Sequence, residues 1–265
     1  MEKQKGLVDY ESVKKAALEQ FRSGKSLYGR NGACGPPEDV PPAAVTPKQA
    51  VMSVRSGPQS LNWFTRHDST TYLISLLTQA RPVRINAATQ RLEPWLAERW
   101  QRLDDGRRYR LSLRPGLRFS DGSPLSVDDV LFSFDAAFDR SSVLGDALTV
   151  GGTPVRAERV DALTVDVVFP RPYGPELRVL DALPILPKHR LQSAMDRGTF
   201  GEAWSTTTPP SDIVGLGPFV LVEHQPGVKL VFDRNPHYFR TSTDGGRLPR
   251  LDRLVLQILP DQDAQ

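Results

Sequence analysis

The chain has 265 residues, 39% of them hydrophobic and 25% charged, and it carries a formal net charge of +3. This size allows one or two domains with a buried core, and the 23 prolines and 20 glycines argue against an all-helical fold. The single cysteine, Cys34, excludes an intramolecular disulfide bond and a cysteine-based metal cluster.

The N-terminal part of the chain is predicted to lie outside the main domain. Val13, Ala17 and Phe21 recur every four residues and predict an amphipathic helix over residues 7–23. Prolines are dense between Gly35 and Pro47, which favours an extended linker. We therefore expect a helix and tail over residues 1–34, a proline-rich linker over 35–47 and a folded domain over 48–265.

Most predicted elements after the linker are strands. They are alternating apolar and polar runs, or short apolar runs bounded by turn residues. The predicted strands are Ala50–Arg55, a run through Tyr109, Leu111 and Leu113 with a basic outer face, a run through Leu163, Val165, Val167 and Phe169, the pair Phe219–Val222 and Leu230–Phe232, and a run through Leu254, Leu256 and Ile258.

Helices are predicted between these strands. The first covers Thr71–Gln79, and its apolar faces are supplied by Tyr72, Ile74, Leu76 and Leu77. A second begins after Ser126, an N-cap residue with Asp129 three positions later, and it is expected to bury Val130, Phe134 and Phe138. Leu183–Phe200 is predicted to be a helix or a loop.

The segment Asp212–Arg240 has an uncommon order of turn and strand signals. Gly215 and Gly217 are expected to adopt backbone angles closed to other residues, before Pro218 starts the hairpin. Asn235-Pro236 is expected to end its second strand, because proline cannot donate to a β-ladder.

The patterns of common catalytic and metal sites are not found in the sequence. The histidines have no metal-binding spacing such as H-x-x-x-H, and there is no G-x-S-x-G nucleophile elbow. Ser23-Gly24-Lys25-Ser26 lacks the first glycine of a phosphate-binding loop. We therefore predict no catalytic residue, no metal ligand and no cofactor.

Two further groups of residues have a structural and a functional interpretation. The adjacent carboxylates Asp104-Asp105 and Asp128-Asp129 suit a solvated turn and a helix N-terminus better than acid–base catalysis, because adjacent side chains diverge. The tryptophans either line a ligand cleft or fill the core, and the core is the preferred interpretation. They are Trp63, Trp95, Trp100 and Trp204.

Three blocks of sequence together resemble one family. The blocks are Leu92–Trp100 continued by Tyr109–Phe119, the segment Ser120–Val130, and Asp212–Arg240 preceded by Leu186–His189. They resemble the bacterial periplasmic solute-binding proteins of the oligopeptide and dipeptide ABC-transporter class, over residues 48–260.

The resemblance implies an α+β fold, the first lobe of a periplasmic-binding-protein-like structure. That lobe has a mixed sheet, flanking helices and an inserted subdomain. The chain stops near the point where the family crosses into its second lobe, so we expect an incomplete lobe with the second lobe absent. Because ligand closure needs both lobes, we expect weak or no peptide affinity for this chain alone.

The resemblance also implies a function. Members of the class capture peptides or related small solutes and deliver them to an inner-membrane ABC permease, and they are not enzymes. Ligand is expected to meet the first lobe around Phe64–Thr70, where Arg66, His67 and Asp68 are the charged candidates. A helix-leading loop with polar caps explains the same three residues equally well.

The location of the protein follows from family and sequence together. The resemblance implies the periplasm, whereas the N-terminus lacks the apolar segment of a signal peptide and leaves cytoplasmic retention open. Residues 1–38 weakly resemble the N-terminus of Mutator-type transposases, through Ala16–Leu27, which suggests a foreign extension. No window of about 18 apolar residues predicts a membrane span.

Two other functions stay open. An incomplete sheet would expose strand edges, and an interaction or scaffold protein would use them to recruit a partner chain. The pI near 9.1 suggests a nucleic-acid-binding module, but the basic residues are interleaved with acids, so no nucleic-acid partner is predicted.

Overall fold

The structure is a computed structural model that describes residues 48–259. The predicted N-terminal helix, the linker, Cys34 and the transposase-like segment lie outside the described residues. The strands are β1 Gln49–Val54, β2 Val83–Ile85, β3 Leu92–Pro94, β4 Ala97–Leu103, β5 Arg108–Leu113, β6 Thr149–Val150, β7 Thr153–Pro154, β8 Arg156–Arg159, β9 Thr164–Val168, β10 Phe219–Gln225, β11 Lys229–Arg234 and β12 Arg253–Ile258. The α-helices are α1 Ser69–Thr78, α2 Val127–Ala137 and α3 Lys188–Asp196.

The first sheet is mixed, and its strands come from both ends of the described chain. Its order is β1-β12-β11-β10. β1 pairs with β12 in parallel, with Val51 opposite Val255, while the other pairs are antiparallel. The predicted hairpin is β10–β11, and it ends at Arg234, directly before Asn235-Pro236. A register shift between Leu221 and Glu223 marks a bulge in β10.

The second sheet belongs to the segment inserted between β1 and β10. It is antiparallel with the order β4-β5-β9-β8. Tyr109, Leu111 and Leu113 of β5 are buried on one face, as their alternation predicts. The short pairs β2–β3 and β6–β7 lie outside both large sheets. The predicted α+β lobe with an inserted subdomain is therefore confirmed.

Two of the helices begin after a capping side chain. The first covers Ser69–Thr78, so it begins two residues before the predicted Thr71 and ends one residue before Gln79. α1 follows Asp68, whose side chain accepts a hydrogen bond from the backbone of Thr71. α2 follows Ser126, and the carboxylate of Asp129 accepts from the Ser126 backbone N–H at 2.8 Å. α3 occupies the centre of the segment that was predicted as helix or loop.

Two apolar residues predicted inside are exposed. Phe138 is 38% exposed because α2 ends at Ala137, so the next side chain leaves the buried face of the helix. Leu163 is 37% exposed because it belongs to the turn before β9, whereas Val165 and Val167 are buried as predicted. In both cases the apolar period extended one residue beyond the element.

Candidate functional site

The loop before α1 holds the three charged residues predicted to meet a ligand. Asp68 is the N-cap of α1: it accepts from the backbone N–H of Thr71 at 2.9 Å and from the Thr71 hydroxyl at 2.6 Å. It also accepts from the Gln59 backbone N–H at 3.3 Å. Two of the three hydrogen bonds that this carboxylate accepts therefore fix the start of the helix.

Arg66 and His67 are exposed and lie on different surfaces of the loop. Arg66 lines a depression of about 350 Å³ together with Ser141 and Thr206. The His67 ring stacks on Trp63, with ring centroids 4.2 Å apart, and partial burial lowers the pKa of His67. The structure therefore places the three residues in one loop, but their charged groups have different neighbours.

An aromatic contact connects this loop to a cavity on the outer face of α1. Trp63 lies against Tyr72 of α1 with ring centroids 4.9 Å apart. Tyr72 and Leu76, which are spaced by one helical turn, are both 42% exposed and line the cavity rather than the core. Ile74, on the opposite face of the helix, is fully buried. The apolar residues of α1 thus serve two surfaces.

The cavity has a volume of about 380 Å³, within the roughly 300–1,000 Å³ of small-molecule sites. α1 supplies one wall, β2 and its flanking residues a second, and the ends of the β10–β11 hairpin a third. The lining residues are Tyr72, Leu76, Gln79, Arg81, Arg84, Ile85, Ala87, Trp95, Asp181, Pro218 and Tyr238.

Arginines on aromatic rings give the cavity an excess of positive charge. The guanidinium groups of Arg84 and Arg240 lie 4.8 Å and 4.2 Å from the Trp95 ring centroid. Arg81 lies 5.9 Å from the Tyr72 ring and is only 6% exposed, and burial lowers its pKa. Cations on ring faces keep their charge available to a third group.

Two polar groups of the cavity are already accounted for. Asp181 accepts a hydrogen bond from the Ile85 backbone N–H at 3.1 Å, so it fixes β2. Burial raises the pKa of Tyr238, although nearby Arg240 and Arg84 oppose this shift. The Tyr238 phenol therefore stays protonated at neutral pH.

Gln79 is the polar group of this cavity that lacks a partner. Its side chain is 3% exposed, and neither its Nε2 nor its Oε1 forms a hydrogen bond with any of the described residues. An unpaired buried amide costs free energy, so its position in a cavity wall needs an explanation.

The segment Gly215–Pro218, directly before β10, joins the walls of the cavity through hydrogen bonds. The backbone N–H of Gly217 donates to Thr78 O of α1 at 3.0 Å, and the Asn235 side chain donates to Gly217 O at 2.8 Å. Gly215 O accepts from the Ser120 backbone N–H at 2.9 Å. The segment thus joins α1, the hairpin and the turn before α2.

A serine, a histidine and an aspartate also meet elsewhere on the surface. Ser123 Oγ lies 3.2 Å and Asp121 Oδ2 lies 2.9 Å from the same atom, His189 Nε2. A proton relay needs the carboxylate on the other ring nitrogen, so this group does not have the geometry of a catalytic triad. Asp121 also accepts from Arg190 at 3.0 Å, which makes the cluster an ion-paired turn.

Residues 48–259 contain neither a metal-site cluster nor a membrane-spanning helix. No group of three or more histidine, cysteine, aspartate or glutamate residues suited to a metal ion occurs among them. Within the same residues, no helix has the length and apolar character needed to cross a membrane.

Sequence reasoning missed most of the cavity. Trp95, for which the core is the preferred interpretation, is half-buried against the core and also lines the cavity, whereas Trp204 is 3% exposed. Tyr72 and Leu76 were assigned to apolar helix faces without a choice of surface. The polar residues Gln79 and Arg81, directly after an apolar helix, are the signal that indicates a site.

The curated relatives of this chain are described as transporter-associated or peptide-binding proteins. A protein of Deinococcus radiodurans described as a probable ABC transporter-binding protein is 29% identical over 215 residues, which are 78% of this chain and 36% of that protein. The dipeptide-binding protein of Escherichia coli is 28% identical over 246 residues, covering 84% of this chain and 43% of the relative. The chain thus spans less than half the length of either relative.

A solved structure shares the fold. The oligopeptide-binding protein AppA of Bacillus subtilis, in complex with a nonapeptide, superimposes with a TM-score of 0.67 at 23% identity, over 83% of this chain and 42% of AppA. The family model described as bacterial extracellular solute-binding proteins, family 5 Middle, matches residues 91–265. The resemblance to peptide-type solute-binding proteins is therefore confirmed, and the chain belongs to the bacterial extracellular solute-binding proteins of family 5.

Proposed function

We propose that this chain is the solute-binding component of an ABC importer for peptides or related small solutes. The cavity between α1, β2 and the β10–β11 hairpin carries this proposal, because it combines exposed apolar surface from Tyr72 and Leu76 with more lining arginines than carboxylates. The family and the peptide-binding relatives support the solute class. The proposal assigns no chemical step to the chain.

The proposal includes a partner and a location. A solute captured outside the cytoplasmic membrane would be delivered to a membrane permease, in keeping with the extracellular description of the family. Residues 48–265 would act as a first lobe, with Arg66, His67 and Asp68 at the rim that the solute passes. One lobe covers only one side of a ligand, so the affinity of this chain alone is expected to be weak.

Binding is best tested by NMR, because NMR detects weak complexes. Trialanine at millimolar concentration should shift the Trp95 indole and Tyr72 ring signals of the full chain. Leu76→Ser should reduce the shifts, because it removes apolar contact from the cavity wall. Val228→Ser is the matched control, since Val228 is also exposed, at 55%, but lies in the hairpin turn. Unchanged signals in the unmodified chain would contradict the proposal, and micromolar affinity would contradict the expected weakness.

A second function, pairing through a sheet edge, is favoured by one observation. β1 is an edge strand of the first sheet, and its Val51 and Met52 are 53% and 48% exposed. An exposed apolar edge strand is a template for another chain. Light scattering after size-exclusion chromatography should then show a dimer that Val51→Lys disrupts. A monomer at high concentration would exclude this function.

A further inference from the structure

Two exposed arginines lie on the ring of Trp95, a half-buried residue directly after β3. Arg84 belongs to β2 and Arg240 follows the β10–β11 hairpin, so the two come from distant parts of the chain. Their guanidinium carbons lie 4.8 Å and 4.2 Å from the same ring centroid. One indole ring therefore holds two positive charges close together at the surface of the protein.

Neither of these two charges is neutralised by a carboxylate. Over residues 48–259, Arg84 and Arg240 form no ion pair and no side-chain hydrogen bond. Glu93 lies opposite Arg84 in the β2–β3 ladder, but its carboxylate accepts a hydrogen bond from a neighbouring asparagine at 2.7 Å. Asp181 accepts from the β2 backbone at 3.1 Å and lies close to Arg81. Both exposed guanidinium groups are therefore available to an anion from outside the chain.

A phenol hydroxyl adds a third donor beside the two arginines. Tyr238 lines the same cavity as Arg84 and lies two residues before Arg240. Burial raises the pKa of Tyr238, and the charges of Arg240 and Arg84 both oppose this shift, so the phenol lies within the field of both. Arginine cannot accept a hydrogen bond, and a protonated phenol can donate one. The three groups thus suit an anion with several oxygen atoms.

We propose that Arg84, Arg240 and Tyr238 form a binding site for a phosphate monoester group. The two guanidinium groups bind phosphate oxygens, and the Tyr238 hydroxyl donates to a third oxygen. A phosphate monoester carries close to two negative charges at neutral pH, so it balances both arginines, whereas a carboxylate balances one. The site shares Arg84 and Tyr238 with the cavity but does not depend on solute capture. The same phosphate group occurs in free phosphate esters and in the headgroup of phosphatidic acid.

Titration with methyl phosphate, followed by NMR of the full chain, tests the site directly. The Nε–H signals of Arg84 and Arg240 and the Trp95 indole signal should shift at millimolar concentration. Acetate at the same ionic strength should bind about tenfold more weakly, because it has one charge and two oxygens. Binding of methyl phosphate should also weaken below about pH 6, where the dianion takes up a proton. Equal binding of the two anions would overturn the proposal.

Lysine substitutions separate this site from a purely structural role of the stacked arginines. Arg84→Lys and Arg240→Lys keep a charged side chain for the Trp95 ring, so their melting temperatures should stay close to that of the unmodified chain. The planar fork is lost, so the affinity for methyl phosphate should fall about tenfold in each variant. Arg91→Lys, at an exposed position directly before β3, is the matched control and should leave the affinity unchanged. Variants of Arg84 and Arg240 that melt at a lower temperature but bind methyl phosphate normally would overturn the site.

Lipid vesicles distinguish the two sources of the phosphate group. Sedimentation with vesicles that contain phosphatidic acid is compared with sedimentation with phosphatidylcholine alone. Co-sedimentation that needs phosphatidic acid and is lost in Arg240→Lys assigns the site to a lipid headgroup. Binding of methyl phosphate without co-sedimentation assigns it to a free phosphate ester. Absence of binding to both methyl phosphate and the vesicles would overturn the proposal, whereas the result with trialanine bears only on solute capture.

Discussion

Gly215 and Gly217 have no side chain, and this lets their backbone approach the last turn of α1 closely. The sequence suggested that these glycines provide unusual backbone angles, but neither has a positive φ. A Cβ on Gly215 would lie 1.9 Å from Thr78 O, and one on Gly217 would lie 2.4 Å from Leu77 O. The requirement for glycine is therefore steric, because the segment packs directly on the last turn of α1.

Replacing Gly215 by alanine should destabilise the domain. The new methyl group would overlap the Thr78 carbonyl, a backbone atom that cannot rotate away, so the free energy of unfolding should fall by about 3 kcal/mol. Urea denaturation measures this change. Gly174→Ala is the control, because a Cβ there meets nothing within 4 Å, and equal stability of the two variants would contradict the packing argument.

Asp129 connects two helices at the scale of elements. Its Oδ2 accepts from the Ser126 backbone N–H and hydroxyl at 2.8 Å and 2.9 Å, at the start of α2. Its Oδ1 accepts from the Lys188 backbone N–H at 3.0 Å, in the first turn of α3. One carboxylate thus binds unpaired N–H groups at two helix N-termini, where the helix dipoles favour negative charge.

The adjacent residues Asp128 and Asp129 should respond differently to alanine. Asp129→Ala removes three hydrogen bonds from a residue that is 5% exposed, so it should cost about 3 kcal/mol of unfolding free energy. Asp128 is exposed and pairs with Arg159 at the surface, so Asp128→Ala should cost less than about 1 kcal/mol. Calorimetric melting of both variants measures this difference. A similar loss of unfolding free energy in the two variants would refute the assigned role of Asp129.

Carboxylates that pair with cations govern the whole molecule's response to acid. Arg110 and Asp166 face each other across β5 and β9, with Arg110 Nε 2.8 Å from Asp166 Oδ1, and Arg108 adds a contact at 3.0 Å. Hydrogen bonds from Arg110 and Arg108 outweigh burial and lower the pKa of Asp166. Burial opposes the same effect at Asp121, but hydrogen bonds from His189, Ser123 and Arg190 lower its pKa.

These paired arginines also revise the predicted basic face of β5. Asp166 and Glu158 lie within 3.0 Å of the Arg108 guanidinium, so a substantial part of that positive charge is neutralised. The strand is therefore a salt-bridged surface rather than a row of free cations.

The depressed pKa values predict the sign of the pH dependence. A carboxyl group with a lower pKa in the folded state stabilises that state above its unfolded pKa of about 3.9, and this contribution is lost as the pH falls through the folded value. The melting temperature should therefore drop steeply below about pH 4. Asp166→Asn should be less stable at neutral pH and should lose less stability on acidification. Parallel pH profiles for both proteins would contradict the assignment.

Local patterns in the sequence were sufficient for some elements, but they predicted none of the strands β2, β3, β4, β6, β7 and β8. Alternation of period two located β5, β9 and β12, and the Ser126 signal located the start of α2, because strand period and helix capping depend on neighbours within a few residues. The same patterns extended too far at Phe138 and Leu163, since an apolar period does not show where an element ends.

The sequence by itself determined the family and the longest alternating strands, because both depend on contiguous residues such as Ser120–Val130 and Asp212–Arg240. Only the tertiary structure decided that β1 pairs with β12, about 200 residues away, and that Arg84, Trp95 and Arg240 meet beside Gln79. The physical reason is that hydrophobic periodicity shows that a face is apolar but not what covers it. Tyr72 and Ile74 are both apolar positions of the same helix in the sequence. Only packing shows that Tyr72 lines the cavity and Ile74 lies in the core.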